Sequence, residues 1–183
     1  MHQGLHLQFF PHQFTQVNHQ INQMLIDDCL SYLKKLSGKR VFDLFCGIGN
    51  FSLPLARAGA QVTGLEVAAD AVVQAEHNAA RNRLANGVQF ATADLYGTDA
   101  DLPGPCDVLV LDPPRNGAGP NLASWVQKSG GTEMVYVSCN PASFAVDAAL
   151  LARCGFRLQR VGIYDMFPHT AHVETMGYFV RQD

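Results

Sequence analysis

Cys139 offers the most chemistry of any residue in the chain. It lies in Val137-Ser138-Cys139-Asn140-Pro141, where an apolar run gives way to a proline-led segment, so its thiol belongs at the rim of a sheet and not in its hydrophobic middle. A thiolate there can add to an electron-poor carbon and be expelled once a base removes a proton from the adduct. The stretch Asp165-Met166-Phe167-Pro168-His169-Thr170-Ala171-His172-Val173-Glu174 supplies candidate bases. Glu174 is the first choice, with His169 and His172 as competitors. Asp112-Pro113-Pro114-Arg115 follows another apolar run, and Arg115, Asn140 and His169 are the polar groups suited to hold a substrate. The remaining cysteines of the five, Cys29, Cys46, Cys106 and Cys154, show no metal-ligand spacing, so neither a disulfide framework nor a zinc site is expected. Cys46 reads as a packed neighbour.

A second cluster surrounds the turn Val41 to Asn50, VFDLFCGIGN. Gly47 and Gly49 let the backbone turn tightly beside a ligand before a helix begins. About 20 residues further on, Glu66 ends the next apolar run, where an acid takes ribose hydroxyls in dinucleotide folds. Asp94 ends the third run, where it can accept from an adenine amino group or a nearby backbone donor. The third glycine of G-x-G-x-x-G is missing, which speaks against nicotinamide. DLFCGIGNFSLPLA instead resembles the first motif of class I methyltransferases, which implies S-adenosylmethionine as cofactor. With a methyl donor in place, the thiol suits pyrimidine C5, a carbon too weakly nucleophilic to attack a sulfonium unaided. Thiolate addition at C6 turns the ring into an enolate whose C5 takes the methyl. Base aminomethyltransferases usually carry an aromatic after the prolines, and Arg115 in that place argues against N-methylation.

These residues need a frame that gathers strand ends. Apolar runs at 40–46, 61–67, 88–92, 107–111 and 134–138 alternate with helix-like stretches at 51–58, 69–84, 119–127 and 142–153, the pattern of a parallel sheet covered on both faces. Before them Val17, Ile21, Met24, Leu25, Cys29, Leu33 and Leu36 recur at helical steps, predicting an amphipathic helix that ends ahead of Ser37-Gly38. After Gly155, 157–164 and 173–181 have strand character with no helix between them and are expected to pair antiparallel at one edge. The expectation is an α/β, Rossmann-like, doubly wound seven-stranded sheet with an antiparallel edge strand. Residues 1–38 form a lead-in segment and helix, and 39–183 the catalytic unit of one structural domain.

The 183 residues, 48% hydrophobic and 16% charged, suffice for one such core. No apolar run approaches the roughly 20 residues of a membrane span, and the start has no signal-peptide pattern, so a cytoplasmic protein without membrane contact is expected. The net charge of −3 lacks the basic footprint usual for nucleic-acid binding, although Lys34, Lys35, Lys39, Arg40, Arg153, Arg157 and Arg160 form local clusters.

FTQVN, DLFCGIGNF, LDPPR, YVSCNP and DMFPHTAHVE occur in the order seen in bacterial RNA uracil-5-methyltransferases, and from about Phe14 onward the chain resembles that family, most closely its 23S ribosomal RNA (RlmD) type. The resemblance implies that Gln16, Phe45, Gly47, Asn50, Glu66, Asp94 and Asp112 contact S-adenosylmethionine or its surroundings, and that Cys139 is the nucleophile and Glu174 the proton-abstracting base; the cysteine spacing, for its part, leaves no metal expected. It implies an RNA partner, 23S rRNA first. The RNA-gripping TRAM domain and the iron–sulfur cysteines usual in the family are absent from this sequence, which reads as the catalytic domain alone. Two other readings compete: a non-catalytic binding module that keeps the cofactor fold, and a cytosine-5 methyltransferase, which often carries a second cysteine after the fourth strand, whereas Cys106 precedes it.

Overall fold

The computed structural model describes residues 4–98, 100–170 and 173–182. The apolar runs become β1 (Arg40–Leu44), β2 (Gln61–Glu66), β3 (Val88–Thr92), β4 (Val108–Leu111) and β5 (Glu133–Ser138), all parallel. The helices are α1 (His19–Tyr32), α2 (Ser52–Arg57), α3 (Ala69–Arg81), α4 (Leu122–Ser129) and α5 (Pro141–Arg153), followed by β6 (Phe156–Tyr164) and β7 (Glu174–Arg181). The sheet runs β3-β2-β1-β4-β5-β7-β6. The chain winds outward from β1 to β3, then restarts beside β1 with β4 and winds the other way. The switch between β1 and β4 opens a crevice beyond their carboxyl ends, where ligands of such sheets bind.

Burial explains why these runs are strands. All four residues of β4 and the last four of β1 are buried, as a strand covered on both faces requires. One face carries α1, α2 and α3 through Leu25, Leu53 and Ala79 against Val110 and Val137. The other carries α4 and α5 through Trp125 and Leu151 against Leu109 and Tyr136.

The structure differs from the periodicity at several ends. The first helix starts later than expected, where the Asn18 carboxamide accepts the Ile21 N–H at 3.3 Å, and stops at Tyr32. Val17 therefore precedes the cap and, with Met24, is exposed, while Leu33 and Leu36 stay buried from beyond the helix end. Gly119, at φ 84°, delays α4, and Gly130 closes it in the left-handed conformation. The antiparallel pair stands at the sheet edge as expected. Within it β7 lies between β5 and β6 and runs against both. That direction brings the beginning of β7 to the edge where the parallel strands end.

Candidate active site

The last rung of the β5–β7 ladder pairs Ser138 with Thr175. Continuing that register by one residue sets Cys139, just past β5, opposite Glu174, the first residue of β7, at the sheet rim. On the far side of β5, Leu111 pairs with Tyr136, so Asp112 emerges next to them. Cys139, Glu174 and Asp112 line one cleft of ≈ 980 Å³ with Gln16, Phe45, Gly47, Asn50, Glu66 and Arg115. Among the predicted site residues, these are the ones the fold brings together.

Charge at the reacting end is dominated by carboxyls out of water. Glu174 is 3% exposed, and its Oε2 has no hydrogen-bond partner among the described residues. Burial holds its carboxyl above the usual range. Asp112 is pushed up to about 8 by burial and then by the Glu174 and Asp43 carboxylates, a shift that Gln16 Nε2, donating to Oδ2 at 3.5 Å, offsets in part. The Cys139 thiol is raised by burial and by the carboxylates of Glu174 and Asp112, with Arg115 pulling the other way. A thiol so placed stays protonated until positive charge or a proton acceptor arrives.

The turn after β1 is wound tightly. Phe45 at φ 64°, Gly47 at 52° and Gly49 at 94° all adopt left-handed backbone, which a phenylalanine does only under constraint. Its ring is held by Tyr96 at 5.7 Å and Trp125 at 6.2 Å between centroids. Glu66 is fixed by three backbone donors: its Oε2 accepts the Gly47 N–H at 3.1 Å, and its Oε1 accepts those of Val67 at 2.9 Å and Ala68 at 3.0 Å. Asn50 and Asn22 exchange carboxamide hydrogen bonds of 2.9 and 3.0 Å, tying α1 to the turn.

Three predicted residues stand apart from the cleft lining. Asp94 is exposed at the end of β3 and accepts the Tyr96 N–H at 3.0 Å. Asn140 caps α5 by accepting the Ala142 N–H at 3.1 Å, and donates to the Arg115 carbonyl at 3.2 Å, fastening the Asp112–Arg115 loop to the end of β5. His169 is exposed in a turn at φ 69°. His172, the other competing base, lies outside the described residues.

Two acids escaped the sequence reading. Asp147 accepts the Tyr136 hydroxyl at 2.5 Å and the Ala118 N–H at 2.9 Å, securing the chain beyond Arg115. Asp43 is 1% exposed beneath the glycine turn; its Oδ2 accepts the Ser52 hydroxyl at 2.5 Å and its Oδ1 has no partner among the described residues. The available clue was an acid inside the otherwise apolar Val41-Phe42-Asp43-Leu44-Phe45. Burial, with a smaller push from Glu66, raises Asp43 to about 7, and the Ser52 bonds limit the rise. In an unfolded chain an aspartate titrates near 3.9. Between those values the native state holds the extra proton, so stability falls as pH rises through this window. Urea midpoints at pH 5 and pH 8 should therefore drop more steeply for the wild type than for Asp43→Asn, whose amide oxygen still accepts from Ser52.

The chain is similar to known proteins over nearly its whole length. The family model described as tRNA (Uracil-5-)-methyltransferase matches residues 2–95 and 99–182. The 23S rRNA (uracil(1939)-C(5))-methyltransferase RlmD of Shewanella amazonensis is 48% identical over 178 residues, covering 96% of this chain and 40% of the relative. That of Alkalilimnicola ehrlichii is 49% identical over 183 residues, covering 98% and 41%. The chain thus spans about two fifths of the length of these curated relatives. Among solved structures, the Pyrococcus abyssi tRNA (uracil-54, C5)-methyltransferase, crystallised with S-adenosyl-L-homocysteine, superposes with a TM-score of 0.83 at 29% identity, over 96% of this chain and 42% of that one. The Synechocystis magnesium protoporphyrin IX methyltransferase shares the fold, with a TM-score of 0.72 at 20% identity. With segments that take in every strand of the sheet matched to one family, the chain belongs to the tRNA (uracil-5-)-methyltransferase family.

Proposed function

We propose that this chain is the catalytic part of an enzyme that forms 5-methyluridine in RNA, with 23S rRNA as the substrate, S-adenosylmethionine as the methyl donor, Cys139 as nucleophile and Glu174 as base. The observation that carries the reading is the placement of Cys139 opposite Glu174 at the rim of the cleft that holds Glu66 and the glycine turn. The relatives named above supply the RNA and the position methylated.

The cleft suits the donor. Glu66, pinned by three N–H groups, presents a carboxylate where ribose hydroxyls bind in such sheets. Gln16 Oε1 and Glu174 Oε2 are buried acceptors without partners among the described residues beside Asp112, a setting that favours a ligand bearing donors and positive charge. The donor supplies an electrophilic methyl on a sulfonium. The Asp112 and Glu174 carboxylates that hold the Cys139 thiol up would be offset by that positive charge, which would favour the thiolate. Cys139 Sγ then bonds to uracil C6, and the C5=C6 pair moves to form the enolate. C5 takes the methyl as the methyl–sulfonium bond breaks, its electron pair returning to sulfur to leave S-adenosylhomocysteine. Glu174 removes the C5 proton, the C–H pair restores C5=C6, and Sγ leaves as thiolate. The target base must be turned out of its stack to reach Cys139 at the cleft.

RNA labelled with tritium at C5 tests the reading. Label should be released from uridine and not cytidine, and only with S-adenosylmethionine present. Release from cytidine would make the enzyme a cytosine methyltransferase, and cofactor binding without any release would leave a binding module. Glu66→Ala should raise the Kd for S-adenosylhomocysteine by roughly 10- to 100-fold in calorimetry, the scale of about 1.5–3 kcal/mol for hydrogen bonds to a charged group.

A further inference from the structure

Ahead of α1 the chain lies extended along α3, and two asparagines four residues apart hold it. Asn82 Oδ1 accepts the His6 N–H and Asn82 Nδ2 donates to the His6 carbonyl, both at 2.8 Å. Asn78 treats Gln8 in the same way, at 2.8 and 3.0 Å. Four helical residues advance about 6 Å, and two extended residues about 6.6 Å. One carboxamide per helical turn therefore meets every second residue of the strap in register. Farther along, Gln13 Nε2 donates to the Asp70 carboxylate and carbonyl, each at 3.2 Å, and His12 Nε2 stands 3.0 Å from the same carboxylate.

The strap forms part of the site's boundary. Leu5, Leu7 and Phe9 line the same cleft as Gly47, Ile48 and Glu66. Asn78 is fully buried, and its Nδ2 also donates to the Ile48 carbonyl at 3.2 Å, so one side chain joins the strap to the glycine turn.

We infer that residues 5–13 are a closing wall over the cofactor end of the cleft and that Asn78 and Asn82 are its positioning residues, so that cofactor enters and leaves by release of the strap. The inference rests on the cofactor reading proposed above. Asn82 is the cleaner position to change, because among the described residues its side-chain bonds run only to the strap and to the Asn78 carbonyl of its own helix. Asn78→Asp is the complementary variant. It keeps the acceptor for the Gln8 N–H but sets a carboxylate oxygen against the Gln8 and Ile48 carbonyls.

The experiment measures three things on the whole chain: hydrogen exchange of the His6 and Gln8 amides, the Kd and dissociation rate of S-adenosylhomocysteine, and KM and kcat for S-adenosylmethionine. In Asn82→Ala the His6 amide should exchange faster, the dissociation rate and Kd should rise severalfold, and KM should rise by more than kcat falls. Asn78→Asp should show the larger rise in Kd, since strap and turn both shift. Faster strap exchange with an unchanged dissociation rate would overturn the gating role, and unchanged exchange at His6 would show that Asn82 does not hold the strap. If the wild type fails to bind S-adenosylhomocysteine at all, the cofactor reading falls and the strap's role falls with it.

Discussion

Cys139→Ala should abolish the covalent complex that the wild type forms with 5-fluorouridine-containing RNA in the presence of S-adenosylmethionine. Fluorine at C5 makes the distinction sharp. Thiolate addition and methyl transfer proceed as on uridine, but the base then meets fluorine where it needs a proton, and the adduct cannot collapse. A wild-type adduct that resists denaturation and migrates as protein plus RNA on a gel thus reports the nucleophile directly. The alanine variant leaves no atom to bond C6, so the band should vanish and turnover should fall to background. Cys139 is half-buried at a strand end and outside the two hydrophobic clusters, so its loss should leave the unfolding midpoint near that of the wild type. A persistent adduct in Cys139→Ala would transfer the nucleophile role to another group. Cys46 and Cys29 are poor substitutes: both are buried, and burial together with Asp43 lifts their thiols.

Glu174→Gln should give the opposite picture on ordinary uridine: an adduct that the wild type resolves. With the base gone, Cys139 can still add and C5 can still take the methyl, but the C5 proton stays and the thiol cannot leave. Methylated RNA should accumulate bound to protein, while steady-state turnover drops by about 10²- to 10⁴-fold, the range for a positioned general base. One further effect separates this from a damaged fold. Glu174 is the second cause, after burial, of the raised Cys139 thiol, so glutamine should lower the thiol's pKa and speed its alkylation by iodoacetamide at pH 7–8. Slower alkylation, or turnover lost without any trapped RNA, would remove Glu174 from the role of base.

Much of the architecture could be read along the chain because it is written locally. Parallel strands buried on both faces must be nearly continuous apolar runs, and β4, Val108-Leu109-Val110-Leu111, is such a run with all four residues buried. Asp112, Cys139 and Glu66 could be placed at the site because each follows or ends such a run and carboxyl ends of parallel strands converge. Helix ends were less legible. The periodicity of Leu33 and Leu36 continued past Tyr32, because residues beyond a helix can bury their side chains in the same core.

Sequence alone thus singled out the candidate residues: a thiol, three acids and a glycine turn, at positions whose neighbours along the chain mark them as strand ends. Tertiary structure decided how they are arranged. The insertion of β7 between β5 and β6 depends on pairing between distant segments, and it puts Glu174 across from Cys139 and not on a remote edge. The elevated Asp112 and Asp43 carboxyls arise from desolvation and from charges far away in sequence. The same holds for the strap, since only the fold lays His6 and Gln8 along Asn82 and Asn78. Residue type and strand ends are local properties, whereas register, dielectric surroundings and the closing of a cleft are sums over contacts that a linear pattern does not contain.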